Sequence, residues 1–330
     1  MDSGNSNDRS YLDQIRIYEG AEKCRAALNE AFRKDVRLTV NLLNDRRLIF
    51  PCLYILREQI EALHIQRYLS PRNMIAIRIA NQIRGSEASG TDYLSSRRDL
   101  VYPVLKWIVE TGCDEEIPED DYEKILDVTI SVLINIYRDE DILPLVADLI
   151  FKRNRNGHYI HDLVWALFRV HDPRVLKLIA ERIRSLNVKD AELAAELLNI
   201  DETDTPADKG DHDGRYVGYL HWLEENEPYL YFTEESFQYA SKPAFSAVDM
   251  ERKYIQKGCP SYDKQSSPPS DEDAGENLTV FKQLSDKEQK ILSEYSKKIH
   301  DKSVSTWKEW LREPVSKQIK TAKARLEGDK

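Results

Sequence analysis

The sequence predicts an all-α protein, and three observations support this prediction. Glycine and proline are scarce, at 12 and 13 of 330 residues, whereas β-sandwiches and barrels need frequent turn residues. Apolar residues recur at three- and four-residue steps through much of residues 11–200, which is the spacing of one helix face. Apolar residues make up 41% and charged residues 32% of the chain, which supplies a core and excludes collagen-like and low-complexity chains. We expect antiparallel helical hairpins stacked into a solenoid, or an irregular helical bundle.

The first part of the chain predicts a polar, disordered start at residues 1–10 and one helical domain at residues 11–200. Two apolar stripes mark its first helices, one formed by Phe32, Val36, Val40 and Leu43, and one formed by Ile75, Ile79 and Ile83 and ending near Gly85. Further helices are expected at 93–109 and 122–136. The helix at 122–136 is apolar over more than half of its circumference, so we expect it to lie between other helices.

Residues 141–200 predict four short helices, near 142–152, 158–170, 173–185 and 189–200. The apolar register of residues 142–150 recurs at 175–183, and that of residues 163–172 recurs at 193–202. Asp172 precedes Pro173, which places a capping residue ahead of a proline at the first helical position. Offsets of 33 and 30 residues between two-helix units are typical of a solenoid, in which each helix pair packs on its neighbours.

The helix that begins at Asp172-Pro173 and continues as Arg-Val-Leu-Lys-Leu-Ile-Ala-Glu-Arg-Ile183 resembles a helix of HEAT-type repeats. The resemblance covers about residues 120–200. It implies stacked helical hairpins with a concave face that binds another protein.

The second part of the chain changes character after residue 200. An acidic loop at residues 201–214 leads into an aromatic-rich segment at 215–257, with a helix expected near 215–226 and a break at Pro228. A Ser/Pro-rich stretch at 258–276 predicts a flexible linker. Residues 277–330 predict an amphipathic helical tail that Glu313-Pro314 divides in two.

Charge is distributed unevenly along the chain, whose formal net charge is -10. Residues 201–276 hold 18 acidic and 7 basic side chains, whereas residues 282–330 hold 13 basic and 8 acidic ones. The acidic middle and the basic tail are expected either to attract each other, within or between chains, or to serve as solvated surfaces.

Several functional classes lack their sequence signals. The longest strongly apolar stretch is nine residues, 48–56, too short for a membrane span, and the polar start has no secretory signal. Cys24, Cys52, Cys113 and Cys259 form no C-x-x-C pair, which favours reduced thiols in a cytoplasmic protein. Phosphate-binding glycine loops, nucleophile elbows and H-E-x-x-H motifs are absent from the sequence. No cofactor is therefore expected.

The sequence favours a non-enzymatic scaffold or adaptor that binds another protein. Tyrosine and tryptophan dominate the energetics of such interfaces, and they are concentrated in the aromatic-rich segment and the tail. The predicted anchors are Trp222, Tyr229, Tyr231, Phe232, Trp307 and Trp310. Two alternatives stay open: the aromatic-rich segment caps the end of the solenoid, and the tail docks on the body of its own chain.

A metal-dependent hydrolase is the enzymatic alternative. His158 and His161 are three residues apart and Asp162 follows, so on one helix both imidazoles would share a face and hold a metal. The pair Asp211-x-Asp213 resembles part of a calcium loop, but Lys209 stands where that motif needs a carboxylate.

Nucleic-acid binding is the third alternative. Three basic runs could meet phosphates, namely Arg46-Arg47, Arg97-Arg98 and residues 152–155. The net charge of -10 opposes this alternative unless one face collects the positive charges.

Overall fold

The computed structural model describes residues 9–85, 92–95, 97–115, 117, 120–200, 211–257 and 275–327. In these residues the chain forms seventeen α-helices and two three-residue strands, which confirms the prediction of a mostly helical protein. The predicted disordered start lies almost wholly outside the described residues, as do residues 201–210 of the acidic loop and 258–274 of the linker. Across the described ranges, every helix is too short or too polar to cross a bilayer.

The chain divides into two compact units, the N-terminal unit at Met1–Val170 and the C-terminal unit at His171–Lys330. The boundary lies inside the predicted helical-repeat domain at 11–200. The N-terminal unit contains α1 (Tyr11–Glu19), α2 (Ala21–Lys34), α3 (Val36–Leu43), α4 (Phe50–Ala62), α5 (Pro71–Arg84), α6 (Tyr102–Gly112), α7 (Asp120–Val132), α8 (Leu143–Asn156) and α9 (His161–Phe168).

Local side-chain chemistry explains two departures from the predicted helices of this unit. The stripe from Phe32 to Leu43 does not lie on one helix, because Asp35 adopts an extended backbone (φ −161°) and its carboxylate accepts a hydrogen bond from the Arg37 amide, which begins α3. The helix expected at 93–109 begins only at Tyr102. Ahead of it, the Asp92 carboxylate accepts hydrogen bonds from the backbone amides of residues 94 and 95, a turn that competes with helix.

The α7 helix lies between other helices of the N-terminal unit, as the sequence predicts. This helix packs against α5, α6 and α9, and its apolar residues are buried on several sides. Phe50, Tyr54 and Tyr122 form a buried ring cluster with centroid distances of 5.1–5.9 Å. Gly112 lies so close to α7 that a Cβ atom there would meet Leu126 Cδ2 at 2.8 Å, so a larger residue at this position would have to displace the Leu126 side chain.

The C-terminal unit begins with helices and ends with a helical tail. It contains α10 (Pro173–Ala180), α11 (Val188–Leu197), α12 (His212–Asn226), β1 (Leu230–Phe232), β2 (Ser246–Val248), α13 (Met250–Tyr254), α14 (Gly275–Phe281), α15 (Asp286–Lys302), α16 (Val304–Leu311) and α17 (Val315–Glu327). The strands pair antiparallel, with Tyr231 opposite Ala247. Asp172 caps α10 by accepting a hydrogen bond from the Arg174 amide, as expected from the Asp-Pro signal.

The tail helices pack on their own unit. Tyr254 of α13 stacks on Phe281 of α14 with a centroid distance of 4.4 Å, and both rings are buried. Leu292, Trp310 and Val315 belong to the same apolar cluster. The expected division at Glu313-Pro314 separates α16 from α17, and an extended residue at Ser303 (φ −164°) makes a second, unexpected division between α15 and α16.

Candidate functional site

The aromatic-rich segment contributes to both the core and the surface of the C-terminal unit. Tyr219, Tyr229, Phe245 and Tyr254 are buried. By contrast, the side chains of Trp222, Tyr231 and Tyr239 are 37%, 49% and 84% exposed. The segment therefore contributes some rings to the core of its unit and exposes others to solvent.

Trp222 is exposed, and it contacts two buried residues of its own helix. Its indole stacks on the buried Tyr219 ring with a centroid distance of 5.4 Å. Its carbonyl oxygen accepts a hydrogen bond from Asn226 Nδ2 at 2.6 Å, and Asn226 Oδ1 accepts one from Lys253 Nζ at 2.7 Å. The Tyr219 ring therefore supports the exposed indole, and Asn226 holds the backbone carbonyl of Trp222.

The predicted anchors in and just before β1 differ in their exposure. Tyr229, just before the strand, is buried and donates its hydroxyl proton to Gln256 Oε1 at 2.7 Å. Tyr231 points outward. Phe232 is half-buried and stacks on the His171 ring at 5.5 Å. Tyr231 and Phe232 are therefore accessible, whereas Tyr229 is not.

Trp307 and Trp310 lie in the packing of the tail. Trp307 Nε1 donates a hydrogen bond to Ser296 Oγ at 2.8 Å, which joins α16 to α15. Trp310 is buried and its ring contacts Tyr254 and Tyr295 edge to face. Both side chains have a core role here, and a partner cannot reach Trp310 in this conformation. That they anchor a partner stays a prediction.

The histidine cluster does not have the geometry that the metal hypothesis assumed. Gly157 ends α8 in a left-handed conformation, and His158 lies in the connection to α9, which begins only at His161. The expected shared helix face is therefore wrong. His158 Nδ1 lies 2.5 Å from Glu123 Oε1, and the His161 ring contacts the Tyr159 ring at 4.6 Å. Within the part of the chain that the structure describes, no three His, Cys, Asp or Glu side chains converge as metal ligands do, and Asp162 joins no such group.

A cavity of about 490 Å³ lies beside His158 in the N-terminal unit. Its lining includes Cys113, Glu123 and His158, the residue types of a thiol-based nucleophilic site. Burial, however, raises the pKa of the Cys113 thiol to about 12. A thiol with this pKa is protonated at neutral pH, which disfavours a nucleophilic role. These three residues lie 10 to 45 positions apart in the sequence, so no local motif could have revealed the cavity.

The other sequence signals have structural explanations. Asp211 caps α12 by accepting a hydrogen bond from the Gly214 amide at 2.7 Å, which accounts for the partial calcium motif. Arg153 pairs with Asp127 at 2.7 Å, and Lys152 Nζ donates to the carbonyl oxygens of residues 113 and 114. That basic run is thus committed to the fold, whereas Arg46 and Arg47 lie on the surface.

Comparisons of the chain with protein-family models, with curated proteins and with solved structures find no match.

Proposed function

We propose that the protein is a non-enzymatic scaffold or adaptor that binds another protein through the aromatic surface of its C-terminal unit. We use the term aromatic surface for the three predicted anchors that reach solvent, Trp222, Tyr231 and Phe232, of which Tyr231 and Phe232 point to opposite faces of β1. One observation carries the proposal: Trp222 is solvent-exposed, yet its ring rests on buried Tyr219 and its backbone is fixed by Asn226.

A large exposed ring held in one orientation suits binding for two reasons. Covering an indole removes much apolar area from water, about 25 cal/mol per Å². An ordered side chain also avoids most of the entropy cost of immobilisation, about 0.5–1.5 kcal/mol for a flexible one. Phe232 has a similar support, because it stacks on His171. Tryptophan and tyrosine are the residue types that most often dominate binding interfaces.

The helical-hairpin repeat belongs to the same proposal. The sequence echo between residues 142–150 and 175–183 falls on α8 and on α10 with its following turn, both of which have proline in their first turn. Each is followed by a helix that packs on it, α9 and α11 respectively. This arrangement supports a HEAT-like hairpin as the building unit of the region.

The test is affinity capture from native cells with the wild-type chain, Trp222→Ala and Trp165→Ala, quantified by mass spectrometry. Trp165 is a matched control, because it is also a tryptophan on a helix and is 38% exposed, but it lies in the N-terminal unit. We expect a partner captured by wild type and Trp165→Ala to be depleted at least about tenfold by Trp222→Ala, as a loss of 1.4 kcal/mol or more produces.

Circular dichroism and thermal unfolding of each variant separate lost binding from lost folding. A fully folded Trp222→Ala chain that captures the same proteins in the same amounts would show that the aromatic surface is not the binding site.

A further inference from the structure

Two loops of the N-terminal unit contact each other, the loop between α3 and α4 and the loop between α4 and α5. Asn44 joins them, since its Nδ2 donates to the Tyr68 carbonyl at 2.9 Å and its Oδ1 accepts from the Ser70 amide at 2.7 Å. The Arg72 guanidinium donates to the carbonyl oxygens of Arg46 and Asp45 at 3.1 and 3.2 Å. The loops therefore form one fixed surface.

We call this surface the arginine junction. It consists of Arg46, Arg47, Arg67, Arg72, Tyr68 and Trp107.

The arginine junction carries more positive charge than its neighbouring carboxylate balances. Arg47 pairs with Asp45 at 2.8 Å. Arg46, Arg67 and Arg72 form no ion pair with a carboxylate of the described residues. Arg46 and Arg67 are exposed, and Arg72 is half-buried, where burial lowers the pKa of its guanidinium. A bound polyanion would supply the counter-charges that Arg46 and Arg67 lack within the described residues.

Aromatic rings lie beside these charges. The Arg67 guanidinium carbon lies 4.7 Å from the centre of the Tyr68 ring, and that of Arg72 lies 4.3 Å from the centre of the Trp107 ring. Tyr68 is 47% exposed. Rings and guanidinium planes of this kind stack on unpaired bases, while arginines bind the phosphates between them.

We propose that the arginine junction binds single-stranded nucleic acid, with Arg46 and Arg67 on phosphates and Tyr68 under a base. This function is separate from the protein binding proposed for the C-terminal unit. The net charge of -10 opposes nucleic-acid binding unless one face collects positive charges; the arginine junction is such a face, and salt screens more distant charges beyond about 8 Å at physiological ionic strength. An acidic peptide would satisfy the charges but would leave the exposed ring without a role.

The test is fluorescence anisotropy of a labelled oligouridine of about 20 nucleotides, long enough to span a binding site, titrated with the full chain between about 50 and 200 mM salt. We expect Arg46→Gln/Arg67→Gln to weaken binding at least about tenfold and to lower the slope of log K against log salt by about 1.4, at about 0.7 per phosphate contact. Tyr68→Ala should weaken binding about 5- to 160-fold with an unchanged slope, because a ring contributes no charge.

A matched control removes two positive charges elsewhere in the same unit. Lys23 and Arg138 are exposed and lie outside the arginine junction, so Lys23→Gln/Arg138→Gln should bind within about twofold of wild type. No anisotropy change with wild type at the lowest salt overturns the proposal, and so does an equal loss in this control. A polyglutamate peptide that displaces the oligonucleotide as well as unlabelled oligouridine does would assign the surface to acidic peptides instead.

Discussion

Replacing Glu294 with glutamine tests the buried ion pair that joins the tail to the rest of the C-terminal unit. Lys253 of α13 is completely buried, and its ammonium donates hydrogen bonds to Glu294 of α15 and to Asn226 at the end of α12. Glutamine keeps a hydrogen-bond acceptor at position 294 but removes the negative charge. The variant therefore leaves a buried ammonium without its counter-charge.

The expected cost follows from the burial of the two partners. Breaking a fully buried pair costs about 3–5 kcal/mol. Glu294 is 35% exposed, so water screens part of the interaction and we expect about 2–3 kcal/mol for Glu294→Gln. Lys253→Met removes the charge that needs compensation, so it should cost less, about 1–2 kcal/mol for the lost hydrogen bonds.

Urea unfolding of the full-length chain, followed by tryptophan fluorescence and circular dichroism, measures these differences. Glu313→Gln is the control, because its pair with Lys317 at 2.8 Å lies on the surface of the same unit and is expected to contribute below about 0.5 kcal/mol. A Glu294→Gln chain as stable as the control, or more stable than Lys253→Met, would refute the reasoning that the charge on Glu294 is what makes a buried Lys253 tolerable.

Two further predictions concern the N-terminal unit. Burial raises the pKa of Asp127 to about 6 despite its pair with Arg153, so the folded chain takes up this proton before the unfolded chain does. The stability of wild type relative to Asp127→Asn, measured by urea unfolding, should therefore rise by about 1 kcal/mol from pH 7 to pH 5; a fall would contradict the assigned burial. Cys24, Cys52 and Cys113 are buried, so iodoacetamide at pH 8 should label them only in urea, as peptide mass spectrometry would show.

The sequence predicts correctly those helices in which apolar spacing and the residues that mark helix ends indicate the same structure. The α7 helix is apolar around most of its circumference and packs on three neighbours. The Asp-Pro pair at 172–173 and the Glu-Pro pair at 313–314 mark helix ends because their backbone effects are local. The stripe from Phe32 to Leu43 misleads because the Asp35 carboxylate satisfies the amide that a continuous helix would use. Apolar spacing alone does not register this competition.

The candidate site in the C-terminal unit depends on side-chain packing that cannot be read from the sequence. The apolar positions of the tail indicate that one face is buried, but not that Trp310 meets Tyr254 and Tyr295. Lys253 stands between Arg252 and Tyr254 in a short helix, and only the fold reveals that it is buried beneath Glu294. The high density of aromatic residues marks 215–257 as a distinct segment. Which of its rings are buried and which are exposed can be seen only in the structure.

Site-specific photo-crosslinking tests the proposed protein-binding function most directly. A benzophenone-bearing phenylalanine replaces Trp222 in one chain and Trp165 in another, and both chains are irradiated in native cells. The account predicts a covalent adduct with a second protein from position 222 and none of that adduct from position 165, since only Trp222 belongs to the aromatic surface. The same adducts from both positions, or none from position 222 in a folded chain, would contradict it.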